Sequence, residues 1–178
     1  MIAILPPWFR MQQSFRKWWD SGNRWHLVNA GKYFSMFLPV IVVKAFDAYK
    51  YYPSKGSSQS TFWLYFCVKL FQTMYSLYWD YVWSWGLLYG PEGKRLLRNK
   101  ISFSPQWYYW SIFWNTIIRF WWLLAAIKIR HSKMMFPGEL EMLASVGMFL
   151  GMVRRTFWSF IRIENEYVNN FEQYRDIL

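Results

Sequence analysis

The 178-residue sequence predicts an all-α, polytopic membrane helix bundle, with about four transmembrane helices and an N-terminal amphipathic helix. Three observations carry that expectation. Hydrophobic residues make up 54% and aromatics 24%, with 14 Trp, 13 Tyr and 16 Phe. A soluble domain of this size has too little core to bury so many indoles, whereas the membrane–water interface favours rings with an apolar body and a polar handle. Long apolar runs recur between short polar loops, and each run also holds an ionisable residue. The mean hydropathy of -0.03 is low for a membrane protein because that scale marks Trp and Tyr down.

Residues 1–26 read as a juxtamembrane segment. Within them Trp8, Met11, Phe15, Trp18 and Trp19 recur at helical spacing over 8–19, beside Arg10, Arg16 and Lys17, a pattern that suits a helix lying in the headgroup region. A four-helix membrane core is expected over 27–170 and a tail over 171–178. The first span covers 27–49, kinked by Pro39, because proline removes a helical N–H and clashes with the preceding turn. "YPSKGSSQS" reads as a loop. The second span covers 61–89 and at about 1.5 Å per residue would be about 43 Å long, beyond a hydrocarbon core of about 30 Å. It is expected to tilt or project into the headgroups. "GPEGKRLLRNK" follows as a basic loop, the third span covers 107–129, and "RHSKMMFPGE" turns the chain into a final helix over 138–170.

Lys and Arg in the flanks argue orientation. Arg10, Arg16, Lys17 and Arg24 precede the first span, and Lys94, Arg95, Arg98 and Lys100 fill the central loop. Both outnumber Lys50 and Lys55 in the first loop and Lys128, Arg130 and Lys133 in the third. Both termini and the central loop are therefore expected on the cytosol-like side of a multi-pass protein.

Several function classes drop out. The net charge of +11 admits nucleic acid, anionic lipid or an anionic solute, but there is no nucleic-acid-binding motif and no single basic stripe. Cys67 is the one cysteine, and His26 and His131 lack ligand spacing, so no metal site or other cofactor is expected. No nucleophile stands with a base, so no enzyme is expected. The N-terminal stretch lacks a charged n-region and does not read as a signal peptide.

The charges inside the spans carry the chemistry, since ionisable groups at membrane depth face the bundle interior or a wet cavity. Asn29, Lys32 and Tyr33 share a face of the first span at i, i+3, i+4. The second span holds Lys69 and Asp80, the third Asn115, Arg119 and Trp122 at i, i+4, i+7, and the fourth Arg154 and Arg155, with Arg162 and Glu166 on the Arg155 face. Lys44, Lys69, Lys128 and Arg162 suit snorkelling, and any one ion pair can simply fix helix packing. Taken together, Lys32, Arg119, Arg154 and Arg155 outnumber the one evident acid, Asp80. Buried cation excess calls for an anion, and planar guanidinium groups match phosphate.

The motifs "WFRMQQSFRKWWDSGNRWHLVNAGKY", "YWDYVWSWGLL", "IIRFWW" and "RRTFWSFIRIENEYVNN" resemble, in order and spacing, the EXS domain, over about residues 7–175. That domain is the membrane core of eukaryotic phosphate exporters related to the xenotropic and polytropic retrovirus receptor. The resemblance implies a single EXS-like domain over 1–178 and a phosphate pathway through its helices. It assigns Arg24, Lys32, Tyr33, Asp80, Arg119, Trp122, Arg154 and Arg155 to phosphate binding. Asp80 would hold the arginines or accept a phosphate hydrogen bond, and Trp122 would gate the path. Ser84 stands where relatives carry a second aspartate, Gly151 where they commonly carry glutamate, Ser159 where asparagine and Tyr167 where histidine. No stretch resembles the SPX domain or the earlier membrane helices of those exporters.

Two functions remain. One is an EXS-type phosphate transporter, working with the bilayer, inorganic phosphate or phospholipid headgroups, and completed by a homo-oligomer or other membrane subunits. The other is a non-transporting accessory subunit of a larger membrane assembly, such as a mitochondrial respiratory or ATP synthase complex, that keeps the EXS fold. The first places the chain in an endomembrane or plasma membrane, the second in an organellar inner membrane.

Overall fold

The computed structural model describes residues 4–50, 57–87, 97, 101–131 and 138–175. It is all-helical among the described residues, in the order α1 Leu5–Ser21, α2 Trp25–Ser35, α3 Leu38–Lys50, α4 Ser57–Trp79, a π-helical turn Asp80–Ser84, α5 Pro105–Arg119, α6 Trp122–His131 and α7 Glu139–Arg175. Two compact units, Met1–Ser76 and Leu77–Leu178, divide the chain inside α4 and its continuation. The basic loop residues Lys94, Arg95, Arg98 and Lys100, together with Lys55 and Lys133, lie outside the described residues.

In the first unit α1 and α2 form a hairpin. Pro6 and Pro7 occupy the first turn of α1, where their missing N–H would have had no helical partner. Gly22, at φ 65°, closes the helix by donating its N–H to the Trp18 carbonyl at 2.8 Å. Met11 and Ser14 are buried on α1, and Asn29 Nδ2 on α2 donates to Ser14 Oγ at 2.9 Å. The Tyr75 hydroxyl on α4 donates to the Val28 carbonyl at 2.6 Å.

The first span breaks as expected, with the discontinuity at Met36 and Phe37, just before Pro39. Proline cannot donate to the Ser35 carbonyl, and the chain tightens instead: Met36 N bonds Tyr33 O at 3.1 Å and Phe37 N bonds Phe34 O at 2.9 Å. The end of the expected "YPSKGSSQS" loop is helical, because α4 already begins at Ser57.

In the second unit the α-helical run stops at Trp79 and widens into the π turn, where Trp85 N bonds Asp80 O at 2.9 Å. Leu87 N then reaches back to Tyr81 O at 2.8 Å across Gly86, whose φ is 62°. A side chain does not fit there: a Cβ on Gly86 would lie 2.5 Å from Asn165 Oδ1. The expected helix to residue 89 therefore ends at Ser84. Trp85, Leu87, Leu97, Tyr108 and Ile161 form the buried core, with Tyr81, Ile101, Ile112 and Trp158 packed on it. Glu164 Oε1 accepts from the Ser102 N–H at 2.9 Å and from the Tyr108 hydroxyl, tying the start of α5 to α7.

The third span also departs from expectation. It is interrupted at Phe120 and Trp121, so Arg119 ends α5, Trp122 opens α6, and the expected continuous i, i+4, i+7 register stops at Arg119. Trp121 turns onto α7, where its Nε1 donates to the Leu143 carbonyl at 3.0 Å. The landing site is Gly147, where a Cβ would lie 2.8 Å from Trp121. α7 itself is unbroken over 37 residues, about 55 Å at about 1.5 Å per residue, and five residues of the expected tail continue it.

Two segments, Trp25–Ala45 and Pro105–Lys128, are long and apolar enough to cross a membrane by length and composition. The expected second and fourth spans fall short of that standard, since α4 carries Lys69 and Gln72 and α7 carries Arg154 and Arg155. Their outward surfaces are nevertheless apolar: Trp63, Leu64, Phe71 and Met74 on α4, and Met148, Phe149, Met152, Phe160 and Ile163 on α7, are all exposed. Exposed apolar surface on this scale belongs against lipid or another apolar partner. The fold is a helical membrane bundle.

Candidate functional site

The second unit gathers three charges from three elements. Asp80 opens the π turn, Arg119 ends α5 and Arg154 lies midway along α7. Arg119 Nε donates to Asp80 Oδ2 at 3.1 Å, and its Nη2 binds the same oxygen. Arg154 Nη1 lies 3.8 Å from that oxygen and donates to Asn115 Oδ1 at 3.1 Å. Asn115 Nδ2 donates back to Asp80 Oδ2 at 3.4 Å. Asp80 and Asn115 are 4% and 3% exposed, so this network is shielded from bulk water. Two guanidinium groups share one carboxylate, and the cluster carries one net positive charge.

Local structure explains the convergence. The wider π turn re-aims Asp80 relative to the preceding α-helix, as π insertions at functional positions do. The Tyr81 hydroxyl, in the same turn, meets Thr116 Oγ1 at 2.6 Å and the Ile112 carbonyl at 3.0 Å, pinning the turn to α5. Asn165 Nδ2 on α7 donates to the Ser84 carbonyl at 3.3 Å, and Trp85 Nε1 donates to the Trp158 carbonyl at 3.2 Å. The turn is thus fixed to both helices that supply arginines.

The remaining assigned residues fall elsewhere. Arg155 follows Arg154 by one position and is exposed. Trp122 is half-buried at the head of α6. Arg24, Lys32 and Tyr33 belong to the first unit: Arg24 is the exposed N-cap residue of α2, and Lys32 Nζ lies 4.3 Å from the centroid of the Tyr33 ring. Asn29, expected on their face, bonds α1 instead. Among the other span charges, Lys128 pairs with Glu139, and Arg162 pairs with Glu166 at 2.9 Å while sitting 5.2 Å from the Trp158 ring.

The residue absent from the sequence-based assignment is Asn115. Its signal was present, a polar amide one turn before Arg119 in an apolar span, but only the fold shows that it bridges Asp80 and Arg154. Chemically the site is a set of oriented donors around one acid, and it contains no nucleophile–base pair. Among the described residues no group of three or more His, Cys, Asp or Glu side chains could hold a metal ion.

The EXS family pattern matches residues 1–168. The chain is 33% identical over 181 residues to Phosphate transporter PHO1 of Arabidopsis thaliana, covering 99% of the chain and 21% of that protein. It is 31% identical over 182 residues to Solute carrier family 53 member 1 of Homo sapiens, covering 99% of the chain and 25% of that protein. The Xenotropic and polytropic retrovirus receptor 1 homolog of Danio rerio is likewise 31% identical over 182 residues, with the same shares covered. The chain thus spans about a fifth to a quarter of the length of these relatives. On the extent of the family match and the identity to these relatives, the chain belongs to the EXS family.

Proposed function

We propose that this chain is a phosphate-handling EXS membrane unit in which Arg119 and Arg154, organised by Asp80 and Asn115, bind inorganic phosphate during its passage across the bilayer. One observation carries the reading: two guanidinium groups from different helices converge on one buried carboxylate. That geometry leaves a net positive charge where water is scarce. An arriving phosphate exchanges its water shell for planar, forked donors. Asp80 keeps the arginines apart and oriented while the site is empty, and its charge prevents the centre from holding the anion too tightly. Conduction needs binding that is favourable yet weak enough to release. No covalent bond forms or breaks, so the process is transport and not an enzymatic reaction.

Trp122, three residues beyond Arg119 and across the α5–α6 break, is proposed as the gate. Arg155 is proposed to attract the anion from the exposed side of α7. Arg24, Lys32 and Tyr33, in the first unit, are proposed to bind phosphate as well. The membrane is proposed to be an endomembrane or plasma membrane, crossed several times, with further helices supplied by another copy or another subunit.

Labelled phosphate efflux from vesicles tests this. The expected result is efflux above protein-free vesicles that falls at least about tenfold with Arg119→Ala, the loss of one charge-assisted contact of about 1.5–3 kcal/mol. Efflux no faster than from empty vesicles, at any protein density, contradicts the transport reading. A second reading, an accessory subunit without transport, is favoured by Gly151, which stands where the family resemblance implies an acid. That reading predicts no flux and co-purification with a larger assembly, including a respiratory or ATP synthase complex.

A further inference from the structure

Between α5 and α7 runs a groove of about 810 Å³, contained within the second unit. Two helical stripes line it, including Trp107, Trp110 and Trp114 on one side and Phe157 on the other, with Asn115 and Arg154 also contributing to its lining. Those four rings are 50% exposed or more, so the groove is open along its aromatic walls. Facing apolar stripes at helical spacing normally pack against something.

The lining says what fits. Pockets for small amphipathic molecules are mostly apolar with a few convergent polar groups, and this volume lies in their range. Inorganic phosphate has no use for indole walls. An apolar helix, or a second copy's apolar face, would press on a guanidinium without neutralising it, which is costly in a dry site. Arg154 contacts Asn115 and Asp80 through Nη1 alone, and its fork has further donors to offer. Asn115 sits ten residues into α5, about 15 Å along the axis at about 1.5 Å per residue, so the cation is presented at membrane depth, where an anion is drawn to it.

We infer that the groove holds an anionic phospholipid, its phosphate on Arg154 and its chains leaving between the exposed indoles. The inference shares Arg154 with the proposed phosphate centre but does not require transport. A bound lipid would compete with inorganic phosphate for the same guanidinium.

Native mass spectrometry of the full chain, released from detergent in the presence of phosphatidate and phosphatidylcholine with identical chains, tests it. The expected result is one retained phosphatidate per chain, preferred about tenfold or more over phosphatidylcholine, as one charge-assisted contact allows. Arg154→Gln abolishes the preference, and Ser111→Trp, which fills the groove wall, abolishes retention of both lipids. Equal retention of the two lipids by the unaltered chain overturns the inference, as does a lipid-free dimer. Unchanged retention in both variants overturns it too. The readout involves no flux, so failure here is distinguishable from failure of the transport reading.

Discussion

Asp80 is the residue on which the centre depends. It is the shared partner of Arg119 and Arg154, and removing it leaves two guanidinium groups facing each other in a dry site. Asp80→Asn is predicted to destabilise the protein by about 3–5 kcal/mol, the usual cost of breaking a buried pair, seen as a lower thermal midpoint in detergent. The double change Asp80→Asn with Arg119→Gln is predicted to cost less than the sum of the two single changes, by about 0.5–3 kcal/mol. Additive losses would show that the two residues do not act as a unit. Gly151 gives the opposite sign. A side chain there meets open space, so Gly151→Ala is predicted to stabilise α7 by about 0.5–1 kcal/mol from helix propensity. Gly151→Glu adds a carboxylate four residues before Arg155, in register for a helical pair, and a midpoint below that of Gly151→Ala is predicted, since an ionisable group among lipid-facing residues is costly. The cationic cluster was legible in the sequence because charges in apolar runs are conspicuous. The division of labour between Arg154 and Arg155 was not, because adjacent helical residues point about 100° apart and only the neighbouring helices decide which one faces inward.

Among the elements, the interruptions matter more than the helices. The Pro39 break was legible, because proline announces it. The π turn at Asp80 and the break at Phe120–Trp121 were not: neither contains proline or glycine, and both are imposed from outside. Trp121 is held by the Leu143 carbonyl and the bare backbone of Gly147, and the π turn by Asn165 and Gly86. Gly86→Ala is therefore predicted to cost about 1–3 kcal/mol from left-handed backbone strain, and more from collision with Asn165. Adding Asn165→Ala relieves the collision but not the backbone strain. The double variant is thus predicted to melt above Gly86→Ala and below Asn165→Ala. A double variant no more stable than Gly86→Ala would show that the Asn165 contact is not what confines the turn.

For the whole molecule, the fold class was readable from composition, since an excess of Trp, Tyr and Phe has no place in a soluble core of this length. The span count was less so. Two segments satisfy length and hydropathy together, whereas α4 carries Lys69 and Gln72, and α7 carries Arg154 and Arg155, within otherwise apolar runs. The chain is predicted to stay in the membrane pellet through alkaline carbonate extraction, and its release into the supernatant would contradict the bundle reading. The cationic centre can be tested more directly than by flux, since binding needs only the second unit's geometry and no completed pathway. Equilibrium dialysis of labelled inorganic phosphate against the chain in lipid nanodiscs, with Arg154→Gln and Arg155→Gln in parallel, makes that measurement. Saturable binding is expected, weakening about tenfold or more with Arg154→Gln, a buried charge-assisted contact, and only a few-fold with Arg155→Gln, an exposed one. Equal losses in the two variants, or no saturable binding by the unaltered chain, would rule out a phosphate centre built on Arg154.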